Sequence, residues 1–512
     1  MIRTNKQLVD RDLQIILDRA HRDQKADERK ASLMAETPEL PIDIIESALD
    51  EPAPPKKWTV LAYLDGDNNL ERFALNSLLQ MEKVGSNNDV NIVAQLDRMG
   101  IPGELREAQE AYEKEPARYE EAYEKYSEDP AKYEKDYELY MKYQTFKRLD
   151  DITPKVDGQW GGARRYFVIK GSDCPSEVSF KQDDNGEIYT VVDFKTDKIA
   201  SPCLRDMGNV PMSSKDSLKD FLAWGMRKYP AEHYLLVAMD HGFGYAGSMI
   251  DETDRNAMPL PHMRQAIEDA EKETGKKIDI TGFDACLMGM AETAHELKDV
   301  TDFTVASQQL EMAPGWPVAE ILQKLEDGSS SEAMKPRDVA QMIVDEARKT
   351  PIATPTMAAV DSSKMGEVKA SLDSLGASLL DKSVSGYYTK NAFREAKGYA
   401  YPLDRPAGDY RDIIDLADKI ANQPKVATEN VRKDLERLRN AVKEAVIAEE
   451  HSDAEDGSHG LSVYAPTNTM SYDPFRYRNP VNNQHDGDER FSYRKLTMAD
   501  SDWEKMLRTK FK

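Results

Sequence analysis

Cysteine is scarce in this chain: three residues, Cys174, Cys203 and Cys286, among 512. So sparse and odd a set, without C-x-x-C spacing, excludes a disulfide framework and a zinc knuckle. Basic residues are in deficit, 69 against 93 acidic, giving a formal charge of −24. Phosphate binding needs a basic patch, so nucleic acid is excluded as a partner. No apolar run approaches the roughly 20 residues of a membrane span. The opening "MIRTNKQLVDRDLQIILDRAHRDQ" lacks the apolar core of a signal peptide, so the expected setting is the cytoplasm.

What is present is an alternation of short apolar strands with amphipathic helices. Residues 1–57 read as a charged helix followed by a Pro- and Glu-rich tether. The globular pattern begins with "WTVLAYLDG" at 58–66, a buried strand ending in turn residues. A helix over 67–85, stopped by Gly85, precedes a second strand, "VNIVAQLD". Further strands are read at "RRYFVIK", "HYLLVAMD", "KIDITGFD" and "DFTVASQ", with helices at 214–230 and from Leu287 onward. The pattern predicts an α/β sheet covered on both faces and mostly parallel at its centre. Residues 58–330 form the expected core. Residues 331–512 form a mostly helical region that completes it, with a strand near 460–466 and a helix over 429–450.

Residues 101–150 interrupt this pattern. "EPARYEEAYEKY" recurs as "DPAKYEKDYELY" with a 14-residue step, and Tyr112, Tyr119, Tyr126, Tyr133 and Tyr140 fall seven apart. Pro116 and Pro130 suit first helical turns, and Asp129 an N-cap. The expectation is an inserted helical arm, either a solvated decoration or a surface for a protein partner.

Two strands end in chemically suggestive places. "HYLLVAMD" runs into His241-Gly242, and "KIDITGFD" into Ala285-Cys286. Ligands of open α/β sheets bind beyond the carboxyl ends of the strands. A thiol at a helix N-terminus there gains thiolate character, and a neighbouring imidazole can hold the proton and return it to a leaving amine. The amides of Gly242 and Cys286 could bind an oxyanion, worth roughly 3 kcal/mol per donor. From these residues alone, a buried structural thiol and a turn histidine stay open beside a Cys/His hydrolase. Cys174 and Cys203 read as loop thiols, and His295, on the following helix, as a packing residue.

"DHGFGYAG" together with "DITGFDACLMGMAETAHELKDVTDFTVASQQLEMAPGWP" resembles the clostripain family of cysteine peptidases. "LDGDNNLE", "RRYFVIK" and "GLSVYAPT" add to the likeness, which spans about residues 58–98 and 160–470. The resemblance implies a caspase/hemoglobinase-like αβα sandwich and a cysteine endopeptidase acting on polypeptides. It implies Cys286 as nucleophile, His241 as its partner, and an oxyanion site at Gly242 and Cys286. It puts Asp284 in a pocket selecting Arg or Lys at P1, and Trp316 at the pocket mouth. Phe243, Tyr245, Gln308, Gln309 and Pro314 depart from the family's usual residues, and the last three remove acids that could share the pocket.

The resemblance further implies a self-cleavage site between His241 and Cys286, expected after Arg255. No organic cofactor is required, and calcium is a candidate activator without named ligands. "DGDNN" at 65–69 departs from an EF-hand loop at Leu70 and Asn76 and reads instead as a turn whose Asn68 or Asn69 caps a helix. Two rivals stand beside the basic-specific peptidase: a silent scaffold binding through the arm, and a same-fold peptidase with non-basic P1 specificity.

Overall fold

The computed structural model describes residues 55–100, 114–128, 132, 139–140, 154–182, 188–350, 354–399, 409–467 and 489–511. The expected N-terminal helix and most of the arm, including Tyr112, Tyr133, Asp129 and Pro130, lie outside the described residues.

Nine strands build the main sheet: β1 (Lys56–Leu64), β2 (Val90–Arg98), β3 (Gly162–Phe167), β4 (Cys203–Gly208), β5 (Ala231–Met239), β6 (Ile278–Asp284), β7 (Thr301–Ala306), β8 (Thr356–Asp361) and β9 (Val446–His451). Their order is β9-β8-β7-β6-β5-β1-β2-β3-β4. The five central strands, β7 to β2, are parallel. Antiparallel pairs finish both edges. This is the expected α/β sandwich with a mostly parallel centre.

The central strands are largely buried because helices cover both faces. β2 is buried at every position. Along β1, side chains alternate between the faces. Trp58, Val60, Ala62 and Leu64 pack with Leu75 and Leu78 of helix Glu71–Met81 and Leu322 of helix Val318–Gly328. On the opposite face, the Tyr63 ring lies 5.5 Å from Phe221 of helix Lys215–Lys228. Each large buried side chain contributes about 2 kcal/mol, so the parallel centre is a rigid floor for the loops at its carboxyl edge.

Two expectations change, and the expected strand near 460–466 is present. Residues 429–450 are not one helix: helix Glu429–Ala445 stops and β9 follows. The apolar spacing Val431, Leu435, Leu438, Val442 ends there, and β-branched Val446 enters the ladder with β8. Cys203 is not a loop thiol, since it opens edge strand β4. The strand near 460–466, Ser462–Tyr464, stays out of the main sheet. It pairs with Tyr410–Asp412 in a three-stranded sheet and bridges to Met290.

Of the arm, helix Pro116–Glu128 is described, with Pro116 in its first turn as expected. Tyr119 and Ala122 are buried, and the Tyr126 ring lies 4.5 Å from that of Tyr140. These tyrosines make contacts within the chain.

Candidate active site

β5 and β6 are neighbours, with Met239 opposite Asp284. His241 and Cys286 each lie two residues beyond that pair. The pairing runs past the strand ends, because the Asp240 N–H donates to the Asp284 carbonyl at 3.3 Å. An added Cβ on Gly242 would stand 2.1 Å from the Cys286 carbonyl oxygen. Only glycine permits so close an approach. Phe243 donates to Gly247 and Met249 to His241, and the Gly242 N–H between them donates to no acceptor among the described residues.

The surroundings of Cys286 differ from expectation. The helix does not begin at Leu287. Leu287 takes φ +64, and the helix starts at Ala291. In between, Leu287 N–H donates to Gln309 and Gly289 N–H to Ser307, so this stretch pairs with the segment after β7. The thiol therefore lacks a helix N-terminus behind it. Its Sγ accepts from the Glu311 N–H at 3.3 Å and donates to the Glu311 carbonyl at 3.6 Å. Burial, with the Glu311 and Asp284 charges, pushes the thiol up to about 12. His241 turns Nε2 to Asn69 Oδ1 at 2.8 Å, and burial pushes it down to about 4. Among the described residues no hydrogen bond joins thiol to imidazole. Both groups are neutral here, with residue 311 across the sulfur.

Beside this lies a cluster of buried acidic groups. Asp284 is 5% exposed, and its Oδ1 accepts from the Trp316 N–H at 3.1 Å. Gly315 is pressed against the same carboxyl, 2.1 Å from where its Cβ would be. Asp284 Oδ2, both Glu311 carboxyl oxygens and Trp316 Nε1 are buried side by side. Burial pushes Asp284 up to about 7, and burial plus the Asp284 charge raises Glu311 well above the carboxyl range. Glu311 interacts with both Asp284 and the Trp316 side chain, so these buried polar groups face one another. A separate cavity of about 630 Å³ shares only the 314–317 turn with this site and contains neither Cys286 nor His241.

Comparison with known proteins follows the same residues. The sequence model of the clostripain family, peptidase family C11, matches residues 184–508, more than half of the chain. The chain belongs to the clostripain family. It is 21% identical to clostripain of Hathewaya histolytica over 323 residues, 52% of this chain and 59% of that protein. The match thus spans less than two thirds of that relative's length. Among solved structures, a secreted C11 cysteine protease from Bacteroides thetaiotaomicron, in complex with an irreversible peptide inhibitor, is 17% identical. That alignment covers 83% of this chain and 97% of the other, with a TM-score of 0.49. An inactive zymogen C11 protease from Parabacteroides distasonis is also 17% identical, covering 81% and 93%, with a TM-score of 0.48. Among the described residues no helix is long and apolar enough to cross a membrane.

Set against the clostripain-family resemblance, His241, Gly242, Asp284 and Cys286 come together at one rim. Trp316 is 4% exposed, its ring lies against Gly282 of β6, and it also lines the separate cavity. Arg255 sits in the exposed turn between strands Ser248–Asp251 and Asn256–Met258. Gln308 and Gln309 do not border the acidic cluster. Gln308 bonds Asp412 and the Gly460 N–H, and Gln309 bonds Glu455, so both tie down the later chain. Tyr245 packs its ring against Tyr410, Tyr464 and Tyr493. His295 is buried and bonded to Thr497, a packing role. Sequence reasoning missed Glu311 and Asn69. Nothing local distinguishes either, because each gains its role from a residue far along the chain. Asn68, not Asn69, meets the helix start, through the Leu70 N–H.

Proposed function

We propose that the chain is a cysteine endopeptidase with Cys286 as nucleophile and His241 as general base and acid. One observation carries the reading. Positions 241 and 286 follow directly from the paired ends of adjacent parallel strands, with the Gly242 and Cys286 backbones in contact. A bound peptide displaces the Glu311 main chain from the sulfur. As sulfur attacks the scissile carbonyl, His241 takes the thiol proton. The oxyanion forms against the N–H groups of Gly242 and Cys286. His241 then protonates the leaving amine, and water hydrolyses the thioester through the same imidazole.

Arg or Lys at P1 is the specificity that the Asp284–Glu311 pocket favours. A cation entering there meets two buried carboxyls away from water, where Coulomb attraction is strong. Glu311 supplies acidity that the departures at Gln308, Gln309 and Pro314 had put in question.

The test compares unsubstituted protein with Cys286→Ala on fluorogenic peptides carrying Arg, Lys, Leu, Gln or Asp at P1. Cys286-dependent release from Arg and Lys peptides is expected. Release confined to uncharged P1 residues would leave the peptidase but overturn its basic preference. No Cys286-dependent release from any peptide would favour a silent binding scaffold.

A further inference from the structure

Gln309 stands two residues before Glu311, whose main chain covers the sulfur, and every polar atom of Gln309 is engaged. Its N–H donates to Ser307 Oγ and Thr356 Oγ1, both at 3.1 Å. Its carbonyl accepts from the Leu287 N–H at 3.1 Å and from Ser307 Oγ at 3.0 Å. In the side chain, Oε1 accepts from the Leu310 N–H at 2.9 Å, and Nε2 donates to both carboxyl oxygens of Glu455 at 3.1 Å. Glu455 is itself held by Lys397, Nζ to Oε2 at 2.9 Å, with the two side chains only 13% and 21% exposed. Hydrogen bonds to an ionised acceptor are the stronger kind, and partial burial limits their screening. Leu287, which the Gln309 carbonyl holds, follows Cys286 directly and has φ +64. A leucine keeps that conformation only where its surroundings impose it.

We infer that Gln309 is a positioning residue for the Cys286 amide, clamped in place by Glu455 and Lys397 of the later chain. The pairs Gly289–Ser307 and Leu287–Gln309 form a short antiparallel ladder whose open end is Cys286 and Glu311. A peptide that moves residue 311 off the sulfur pulls on this ladder, and the separation has to stop at 309. The Glu455 clamp is the stop. It stays closed while 310–311 moves, so the Cys286 N–H keeps its place for the oxyanion. This role in turnover rests on the peptidase reading, whereas the clamp beside the free thiol does not.

The experiment uses the full-length chain with Gln309→Glu, with Glu455→Ala, and with the swapped pair Gln309→Glu/Glu455→Gln. A carboxylate at 309 faces Glu455 and opens the clamp, and the swap restores a donor opposite an acceptor. Iodoacetamide labelling read by peptide mapping, with exposed Cys174 as internal reference, reports on the free thiol. The Cys286 rate relative to Cys174 should rise at least about threefold in either single variant and return in the swap. On a fluorogenic Arg peptide, kcat should fall about tenfold in the single variants, with KM changed by less than about twofold, and recover in the swap. Glu455 lies in a short turn, Asp453–Glu455, without buried residues, so its variant decides the matter even where changes at 309 unfold the chain. Unchanged labelling in Glu455→Ala overturns the clamp, as does a rise that persists in a folded swap. A higher KM at unchanged kcat overturns the positioning role. No turnover by the unsubstituted chain overturns the peptidase reading alone, and labelling then decides the clamp.

Discussion

The backbone of Gly242 rests against that of Cys286: a methyl group on the glycine would stand 2.1 Å from the cysteine carbonyl oxygen. This contact locks together the two turns that carry the imidazole and the thiol. Gly242→Ala must push them apart. Because misplacement of reacting groups by about 1 Å can cost roughly 100-fold, kcat/KM should fall by about that factor. Circular dichroism should be unchanged. Retention of more than half the activity would remove the contact from any positioning role.

Asp284 and Glu311 should divide the specificity between them. Asp284→Asn is expected to lower kcat/KM for Arg and Lys peptides about 100-fold, and Glu311→Gln about tenfold, with uncharged P1 residues changed far less. The ratio of Arg to Gln turnover is the readout. Equal losses on both peptide classes would assign these carboxyls to shaping the site, not to reading charge.

The thiol of Cys286 is held neutral by burial and by two acidic neighbours, with its value near 12. Cys174 is exposed. Since the thiolate is the reactive form, iodoacetamide near neutral pH should modify Cys174 at least about tenfold faster than Cys286. A peptide ligand that displaces Glu311 should narrow the gap. Peptide mapping of the alkylated chain checks this, and preferential labelling of Cys286 in the free protein would contradict the covered arrangement.

Glu292 tests the pH dependence of folding. It is 0% exposed, accepts from the Tyr464 N–H at 2.9 Å and the Tyr493 hydroxyl at 3.3 Å, and burial pushes it from 4.5 up to about 7. Its folded value lies above the unfolded one. Its contribution is therefore complete below pH 4.5 and lost as pH rises through about 7. Glu292→Gln should be less stable relative to the unsubstituted chain at the acid end than at the alkaline end, by about 3 kcal/mol across the window. Denaturant unfolding at several pH values measures it. Parallel stability curves would mean that Glu292 ionises normally in the folded chain.

Much of this was legible in the residues themselves. Short apolar runs and their turn signals located β1, β2, β5, β6 and β7, because a strand buried on both faces needs little beyond local composition. Gly85 does end its helix region in a left-handed conformation, φ +75, as its position suggested. The last strand was hidden inside a helical pattern, since 446–451 becomes extended only by pairing with β8, about 90 residues earlier in sequence. Likewise, the turn after Cys286 reads as helix until the 307–309 segment captures its N–H groups.

The chain alone determined most central strands and helices, and that His241 and Cys286 sit at the carboxyl ends of two strands. Composition and periodicity act over a few residues, and that information is local. Tertiary structure decided that those strands are neighbours, that Glu311 lies over the sulfur, and that Asn69, 172 positions away, meets the imidazole. Such contacts depend on strand order and on which helix covers which face, and those are fixed only when the whole core packs.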